Sequence, residues 1–75
     1  MSIVVVGQTH CEYCQRLKQL LADQKKTFTY CPLDHQGATE LRRFLEGMRV
    51  RKVPAVFING SYIGGYDDYV RWNNG

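Results

Sequence analysis

The chain has 75 residues and a mass of 8.7 kDa, with 44% hydrophobic and 23% charged residues. A chain this short encloses one hydrophobic core, so we expect a single domain over residues 1–75, and its average composition excludes a disordered tail or a collagen-like protein. The net charge of +3 is too small for the concentrated basic surface of a nucleic-acid-binding protein. Since no apolar run approaches the about 20 residues that span a bilayer, and none follows a charged segment as in a secretory signal, we predict a cytoplasmic protein without membrane or nucleic-acid partners.

The first half of the chain predicts a β-α-β unit. Ile3–Val6 is a β-branched run without alternation, which is typical of a strand buried on both faces. Apolar residues at helical spacing then predict a helix from about Cys11 to Gln24. The residues of this stripe are Cys14, Leu17 and Leu21. The segment Thr27–Cys31 is rich in Thr, Phe and Tyr and precedes Pro32, which predicts a short strand at the edge of a sheet.

The next segment predicts a second helix that begins near Gly37. Its apolar residues stand at i, i+3, i+4 and i+7, the spacing of one buried helical face. These residues are Leu41, Phe44, Leu45 and Met48. Pro54 ends any helical continuation.

The end of the chain predicts a β-hairpin and a short helix. Ala55–Ile58 and Ser61–Ile63 flank the dipeptide Asn59-Gly60, the strongest short-range indication of a two-residue hairpin turn. A last helix is expected from Asp67 or Asp68 to about Trp72, with residues 73–75 frayed.

The predicted order is therefore β-α-β-α-β-β-α. A right-handed crossover makes the first two strands parallel, and the hairpin then pairs with the free side of the first strand. This arrangement predicts an α/β fold with a four-stranded mixed sheet and helices on both faces.

Two cysteines stand where the first strand passes into the first helix, in the segment Cys11-Glu12-Tyr13-Cys14. At the N-cap, the Cys11 sulfur is expected to accept hydrogen bonds from the N–H groups of Tyr13 and Cys14 and to face the positive end of the helix dipole, which favours a nucleophilic thiolate. Cys14 lies one turn inside the helix on its apolar face, where desolvation keeps a thiol protonated until it resolves a mixed disulfide.

A structural zinc site is the alternative interpretation of the cysteines. Cys11 and Cys14 are followed by Cys31 and His35, which together supply a Cys3His ligand set at tolerable spacing. Without zinc, Cys31 has no evident partner and is interpreted as an inert thiol of the second strand.

Three motifs in this order resemble a small dithiol glutaredoxin of the thioredoxin superfamily, over nearly the whole chain. They are Cys11-Glu12-Tyr13-Cys14, Lys52-Val53-Pro54 and Gly64-Gly65-Tyr66-Asp67-Asp68. The resemblance implies a thioredoxin-like fold and a cis peptide before Pro54, beside the cysteines. It also implies reduction of protein disulfides and glutathione mixed disulfides, with glutathione as the reducing cosubstrate and no bound cofactor or metal.

The resemblance also implies which residues form the site. Cys11 and Cys14 are the implied catalytic residues. The backbone of Val53, held by Pro54, would pair with glutathione as an added strand, while Tyr66 and Asp67 would receive its γ-glutamyl end. Arg51, Lys52 and Gln8 would serve the glycyl carboxylate. Tyr13 would line the groove. The implied glutathione-binding residues are Tyr13, Arg51, Lys52, Val53, Pro54, Tyr66 and Asp67.

Three residues depart from the family pattern. Gln8 stands where a basic residue is common, Lys52 where threonine is common, and Glu12 where proline is usual. These departures leave the partner of the glycyl carboxylate open. Gln8 and Glu12 also leave open a redoxin that is reduced by thioredoxin reductase in place of glutathione.

The resemblance implies a monomer that acts on disulfide-containing or glutathionylated proteins, with ribonucleotide reductase as one candidate. An iron-sulfur carrier that bridges two chains through Cys11 is a non-enzymatic alternative. A basic stretch could also attract an acidic partner protein, although a solvated helix face is the preferred interpretation. Its residues are Arg42, Arg43, Arg49, Arg51 and Lys52.

Overall fold

Helices and strands follow one another in the predicted order in a computed structural model that describes residues 2–34 and 38–74. The elements of these residues are β1 (Ile3–Gly7), α1 (Glu12–Asp23), β2 (Thr29–Pro32), α2 (Thr39–Gly47), β3 (Ala55–Ile58), β4 (Ser61–Gly64) and α3 (Tyr66–Asn74). The predicted β-α-β-α-β-β-α order is confirmed.

The four strands form one mixed sheet in the order β2-β1-β3-β4. β1 is parallel to β2, with Val5 opposite Tyr30, and antiparallel to β3, with Val5 opposite Val56. β3 and β4 form the antiparallel hairpin, with a register irregularity between Val56 and Phe57. The hairpin therefore lies on the free side of β1, as the right-handed crossover predicts.

Hydrophobic clusters cover both faces of the sheet. On one face, Ile3 and Val5 of β1 pack with α1 and α3, whose Leu17 and Tyr69 are fully buried. On the other face, Val6 packs in a cluster with Leu45 of α2. Because successive strand residues point to opposite faces, β1 is buried on both, as its uninterrupted β-branched run predicts.

Two elements differ from their predicted bounds. β2 begins two residues later than predicted and includes Pro32, which lacks an N–H group, but Leu33 N donates to Gly7 O at 2.7 Å and continues the pairing. α3 continues to Asn74 rather than ending at Trp72. The Trp72 ring stacks on Tyr69 at 5.9 Å, which anchors the last turn, so the predicted fraying of residues 73 and 74 is wrong. Gly75 lies outside the described residues.

The predicted buried face of α2 is wrong at two of its four positions, since Leu41 packs against the same cluster as Leu45. The predicted start at Gly37 lies outside the described residues, and α2 begins at Thr39. Of its four apolar residues, Leu45 is buried, whereas Phe44 is 56% exposed and Met48 is 41% exposed. The short helix covers only part of the sheet, and the Phe44 ring lies beside Phe57 at 6.2 Å.

Candidate active site

Cys11 is the N-cap of α1, as predicted. Its backbone is extended (φ −99°, ψ 114°), and its carbonyl oxygen accepts the first helical hydrogen bond from Gln15 N at 3.2 Å. The Cys11 sulfur accepts a hydrogen bond from Cys14 N at 3.2 Å. The predicted second bond, from Tyr13 N, is not formed among the described residues, because the cap reaches the third helical residue instead of the second.

Cys14 is fully buried on the inner side of α1. Gly7 makes room for it, since a Cβ atom there would stand 2.9 Å from the Cys14 sulfur and 2.7 Å from the Tyr30 oxygen. Burial, together with the hydrogen bond to the Cys11 side chain, raises the pKa of Cys14 to about 12. Cys14 is therefore a protonated thiol at neutral pH, while the Cys11 thiol is partly accessible.

Tyr30 and Lys18 lie beside Cys14, and the sequence analysis missed both. The Lys18 ammonium stands 4.2 Å above the centre of the Tyr30 ring, and the Tyr30 hydroxyl donates to Gln8 O at 3.4 Å. This contact joins α1 to β2, so no local pattern of the sequence indicates it.

The second motif lies next to Cys11. The Val53–Pro54 peptide is cis, as the resemblance implies. The Cys11 thiol donates to Val53 O at 3.7 Å, a distance suited to a sulfur donor. Pro54 is buried, whereas Val53 is only partly buried. The Cys11 sulfur is therefore in direct contact with the backbone of residues 51–54, which we call the proline loop.

The third motif forms the beginning of α3. Gly64 has a φ of 125°, a left-handed conformation that glycine adopts without strain. Gly65 O accepts the first helical bond from Tyr69 N at 3.0 Å, and the Asp68 carboxylate accepts a hydrogen bond from Gly65 N at 3.0 Å. This bond, followed by the contact with Arg71, lowers the pKa of Asp68.

The first N–H groups of α3 have no acceptor within the helix. Tyr66 and Asp67 are the first two helical residues, whose N–H groups have no acceptor within a helix by position. Asp67 is exposed, so its carboxylate faces solvent at the positive end of the helix dipole. This end of the helix therefore favours an anionic group of a ligand, and the Asp67 carboxylate favours a cationic group.

A groove of about 390 Å³ connects the three motifs. We call it the α3 groove. It contains six of the seven residues predicted to bind glutathione: Tyr13, Lys52, Val53, Pro54, Tyr66 and Asp67. Tyr62, Gly65 and Asp68 also line it and were not predicted.

Arg51, the seventh predicted residue, lies elsewhere. It lines a second groove, of about 460 Å³, which also includes Gln8. Lys52 and Val53 border both grooves, so the proline loop separates them. Lys52 therefore lines both grooves, whereas Arg51 lines only the second.

Tyr13 forms one wall of the α3 groove. Its ring is 52% exposed and lies 5.6 Å from the ring of Tyr66. The Arg16 guanidinium stands 5.3 Å from the centre of the Tyr13 ring and pairs with Glu12 at 2.7 Å. The sequence analysis missed Arg16, although its position four residues after Glu12 is a recognisable helical ion-pair spacing.

The zinc alternative depends partly on His35, which lies outside the described residues. Within residues 2–34 and 38–74, no three His, Cys, Asp or Glu side chains form a group that could hold a metal ion. Cys31 packs against the cluster on the α2 face, whereas Cys14 belongs to α1 on the opposite face.

Among the described residues, no helix has the length and apolar character needed to cross a membrane.

Solved structures define the class of protein to which this fold and site belong. Wheat glutaredoxin has a TM-score of 0.84 and 37% identity, over 97% of this chain and 71% of that chain. A buckwheat glutaredoxin-glutathione complex has a TM-score of 0.83 and 31% identity, over 96% of this chain and 67% of that chain. The fold is thioredoxin-like, and the class of protein that shares it in these structures is the glutaredoxins.

A family model described as Glutaredoxin matches residues 3–63. Glutaredoxin-C6 of Oryza sativa subsp. japonica is 40% identical over 74 residues, which cover 96% of this chain and 66% of the relative. Glutaredoxin 1 of Escherichia coli (strain K12) is 32% identical over 78 residues, which cover 96% of this chain and 92% of the relative. The chain belongs to the glutaredoxin family.

The relatives differ in how much of their length this chain spans. It spans 56% of the chloroplastic Glutaredoxin-C4 of Oryza sativa subsp. japonica and 58% of Glutaredoxin-C1 of Arabidopsis thaliana, but 92% of the Escherichia coli protein.

Proposed function

We propose that this chain is a glutathione-dependent oxidoreductase that reduces protein disulfides and glutathione mixed disulfides. The observation that carries the proposal is the α3 groove, which joins the helix terminus at Tyr66 and Asp67 to the proline loop that contacts the Cys11 sulfur. The glutathione complex of the buckwheat neighbour supports the same ligand class.

Glutathione fits the chemistry of this groove from end to end. Its γ-glutamyl carboxylate would accept hydrogen bonds from the N–H groups of Tyr66 and Asp67, and its ammonium would pair with the Asp67 carboxylate. Its cysteine would pair with the backbone of Val53 as an added strand, which brings its sulfur to Cys11. The ammonium of Lys52 would then meet the glycyl carboxylate.

The unequal thiols support a sequence of two exchanges. The Cys11 thiolate attacks one sulfur of the substrate disulfide, the substrate S–S bond breaks, and the leaving thiolate takes a proton from solvent. Cys14 then loses its proton and attacks the Cys11 sulfur, which releases the second substrate thiol and forms the Cys11–Cys14 disulfide. Two glutathione molecules supply the two electrons that reduce this disulfide and become glutathione disulfide.

Glutathione mixed disulfides need only one protein thiol. Cys11 attacks the glutathione sulfur and releases the substrate thiol, and a second glutathione then resolves the mixed disulfide on Cys11.

Three predictions from the sequence stay predictions. They are ribonucleotide reductase as a substrate, a monomeric state and a location in the cytoplasm.

Reduction by thioredoxin reductase is the second candidate. The departures at Gln8, Glu12 and Lys52 favour it, because each changes the charge pattern that the family commonly presents around the first cysteine.

A coupled assay tests both candidates. The reduced protein is mixed with a mixed disulfide of glutathione and cysteine, glutathione, glutathione reductase and NADPH, and NADPH loss is followed. A parallel reaction replaces glutathione and its reductase with thioredoxin reductase. Turnover in the first reaction is expected, and turnover in the second alone would overturn the glutathione assignment.

Variants of the two cysteines test the order of exchange. Cys11→Ser should abolish both activities, because it removes the attacking sulfur. Cys14→Ser should lose reduction of protein disulfides but keep deglutathionylation, because glutathione replaces the resolving thiol. Equal loss of deglutathionylation in the two variants would contradict these roles.

A further inference from the structure

Cys14 has a chemical task that its surroundings oppose. In the exchange with a protein disulfide it must lose its proton and attack the Cys11 sulfur, although it is fully buried. Burial and the contact with Cys11 raise its pKa, whereas a hydrogen bond with the backbone of Gln8 and the charge of Lys18 lower it. The exchange therefore depends on groups that stabilise negative charge on the Cys14 sulfur.

The Tyr30 hydroxyl lies next to this sulfur. A Cβ atom on Gly7 would stand 2.7 Å from the Tyr30 oxygen and 2.9 Å from the Cys14 sulfur, so the two atoms are neighbours at the end of β1. The hydroxyl donates to Gln8 O at 3.4 Å, whereas O–H···O bonds usually measure about 2.5 to 3.0 Å. This bond is weak, so the hydroxyl can turn to the sulfur at small cost.

The Tyr30 hydroxyl keeps its proton at neutral pH and is therefore a donor. Burial raises the pKa of Tyr30, and negative charge on Cys14 or Asp34 raises it further. The phenol has a single hydrogen to donate, and a thiolate accepts it in a charge-assisted bond that is stronger than a bond to a carbonyl oxygen. We therefore expect the hydroxyl to leave Gln8 O for the Cys14 sulfur once that sulfur is ionised.

Lys18 brings a positive charge to the same place. It lies one helical turn after Cys14, and its ammonium stands 4.2 Å above the centre of the Tyr30 ring. The ion pairs of the described residues join Arg16 to Glu12 and Arg71 to Asp68, and neither includes Lys18. Since Lys18 is also partly buried, its charge is less screened by water than that of a fully exposed lysine.

We propose that Tyr30 and Lys18 are positioning residues for the second exchange, in which they stabilise the Cys14 thiolate. This inference rests on the proposed function and concerns only its reaction with protein disulfides, because glutathione mixed disulfides do not need Cys14. The Cys14 thiol loses its proton, its sulfur bonds to the Cys11 sulfur, and the bond between Cys11 and the substrate breaks. The leaving substrate sulfur takes up a proton, so the step needs no further oxidant or reductant.

The stepwise release of thionitrobenzoate tests this inference. Reduced protein is mixed rapidly with one equivalent of dithiobis(nitrobenzoate), and the attack of Cys11 releases the first thionitrobenzoate. Cys14 then expels the second from Cys11, at a rate that does not depend on reagent concentration. All proteins carry Cys31→Ser, so that the third thiol does not react. Loss of the second release in Cys14→Ser assigns this step to Cys14.

Tyr30→Phe is expected to slow the second release about three- to tenfold and to leave the first within about twofold, because it removes only the hydroxyl. Tyr69→Phe is the matched control. It removes a hydroxyl that donates to Gln24 at 2.8 Å, at the other end of α1. Both releases should keep their wild-type rates in this control.

Lys18→Met removes the charge but keeps a long side chain that can still cover the Tyr30 ring. It should slow the second release about two- to fivefold, whereas Lys18→Arg keeps the charge and should retain most of the wild-type rate. Lys26→Met is the matched control, because it removes the same charge beyond the C-terminal end of α1. It should leave both releases unchanged.

The outcomes separate this inference from the proposed function. An unchanged second release in Tyr30→Phe or in Lys18→Met would overturn the inference for that residue. Equal slowing in Lys18→Met and Lys18→Arg would also overturn it for Lys18, since packing would then explain the effect, and equal slowing of both releases in Tyr30→Phe would overturn it for Tyr30. Because this reaction uses no glutathione, failure of the wild-type protein in the coupled assay would overturn the proposed function itself.

Discussion

Asp67 and Asp68 are adjacent in the chain, but their carboxylates differ in what they contact. Asp68 accepts a hydrogen bond from Gly65 N and pairs with Arg71, so it stabilises the beginning of α3. Asp67 is the more exposed of the two and lies at the mouth of the α3 groove. The structure therefore favours Asp67 for a ligand and Asp68 for the cap.

Asp67→Ala is expected to weaken the apparent affinity for glutathione several-fold. The substitution removes the proposed partner of the γ-glutamyl ammonium, an exposed charged contact of up to about 1 kcal/mol. The measurement is the dependence of turnover on glutathione concentration in the coupled assay. Disulfide substrates without a γ-glutamyl group should be reduced by dithiothreitol-regenerated protein at an unchanged rate.

Asp68→Asn provides the comparison for this prediction. It should lower the thermal stability through the weakened cap, with a smaller effect on glutathione affinity. If Asp67→Ala leaves the affinity unchanged, the third motif contributes only helix capping.

Glu12 follows Cys11 directly in the chain, but an ion pair largely balances the charge of its carboxylate. The carboxylate pairs with Arg16 at 2.7 Å, and Arg16 in turn lies against the Tyr13 ring. The Glu12 carboxylate does not accept a hydrogen bond from Thr9 N, which donates to Asp34 at 3.2 Å. The ion pair therefore reduces the repulsion between Glu12 and a thiolate at Cys11.

Glu12→Gln is expected to raise the reduction potential of the Cys11–Cys14 pair by about 10 to 20 mV. Removal of a negative charge stabilises the thiolate of the reduced form, but the exposed ion pair limits the effect. Arg16→Gln should shift the potential in the opposite direction, because it leaves Glu12 unpaired. Equilibration with glutathione redox buffers measures both shifts, which should shrink in high salt.

An unchanged potential in both variants would indicate that solvent screens this pair completely. A potential that falls in Glu12→Gln would contradict the electrostatic argument.

At the level of elements, α2 shows how a helical pattern can mislead. Its apolar spacing predicts one continuous buried face, yet only Leu45 lies deep in the cluster between helix and sheet. Phe44 lies at the margin, where it contacts Phe57. A nine-residue helix cannot cover the whole sheet, so part of its apolar face remains accessible.

Leu45→Ala is expected to lower the free energy of unfolding by about 2 to 4 kcal/mol, because it leaves a cavity in the cluster. Phe44→Ala should cost about 1 kcal/mol or less, since the ring is more than half exposed. Urea unfolding of the two variants measures the difference. Similar losses in both would show that Phe44 is as deeply packed as its spacing predicts.

For the molecule as a whole, three groups with raised pKa values make stability depend on alkaline pH: Cys14, Tyr30 and Tyr69. Burial raises the pKa of Cys14 from 9.0 to about 12, and it also raises the pKa of Tyr30 and of Tyr69 above 10.0. Above pH 9 the unfolded chain therefore loses these protons before the folded protein does. The stability they contribute is fully present below pH 9 and is lost as the pH rises toward 12.

Urea unfolding at pH 8 and at pH 10.5, under reducing conditions, is expected to show lower stability at the higher pH. One proton changes the free energy by at most about 1.4 kcal/mol per pH unit. Cys14→Ser should show a shallower decline, because serine does not titrate in this range. An equal decline in both proteins would assign the effect to the tyrosines alone.

Much of the fold follows from local sequence. The β-branched run of β1, the turn at Asn59-Gly60 and the stripe of α1 each predict their elements, because burial, turn geometry and helical periodicity act over a few residues. The N-cap position of Cys11 follows from the same local reasoning. The bounds of β2 and α3 do not, because contacts with other elements extend them.

The division of the basic stretch between grooves required the tertiary structure. Arg42, Arg43 and Arg51 are equivalent in the sequence, but the packing of α2 on the sheet directs only Arg42 and Arg51 to one groove. In the same way, the room for Cys14 beside Gly7 and Tyr30 depends on β1, α1 and β2 together.

Local sequence patterns predicted the order of elements, the mixed sheet and the position of Cys11 at a helix N-terminus. Tertiary structure alone decided which side chains face each groove, how deeply Cys14 is buried and which aspartate caps α3. The two differ because propensity, capping and periodicity act between residues that are near neighbours in the chain. Desolvation and charge act instead between residues that only the folded chain brings together.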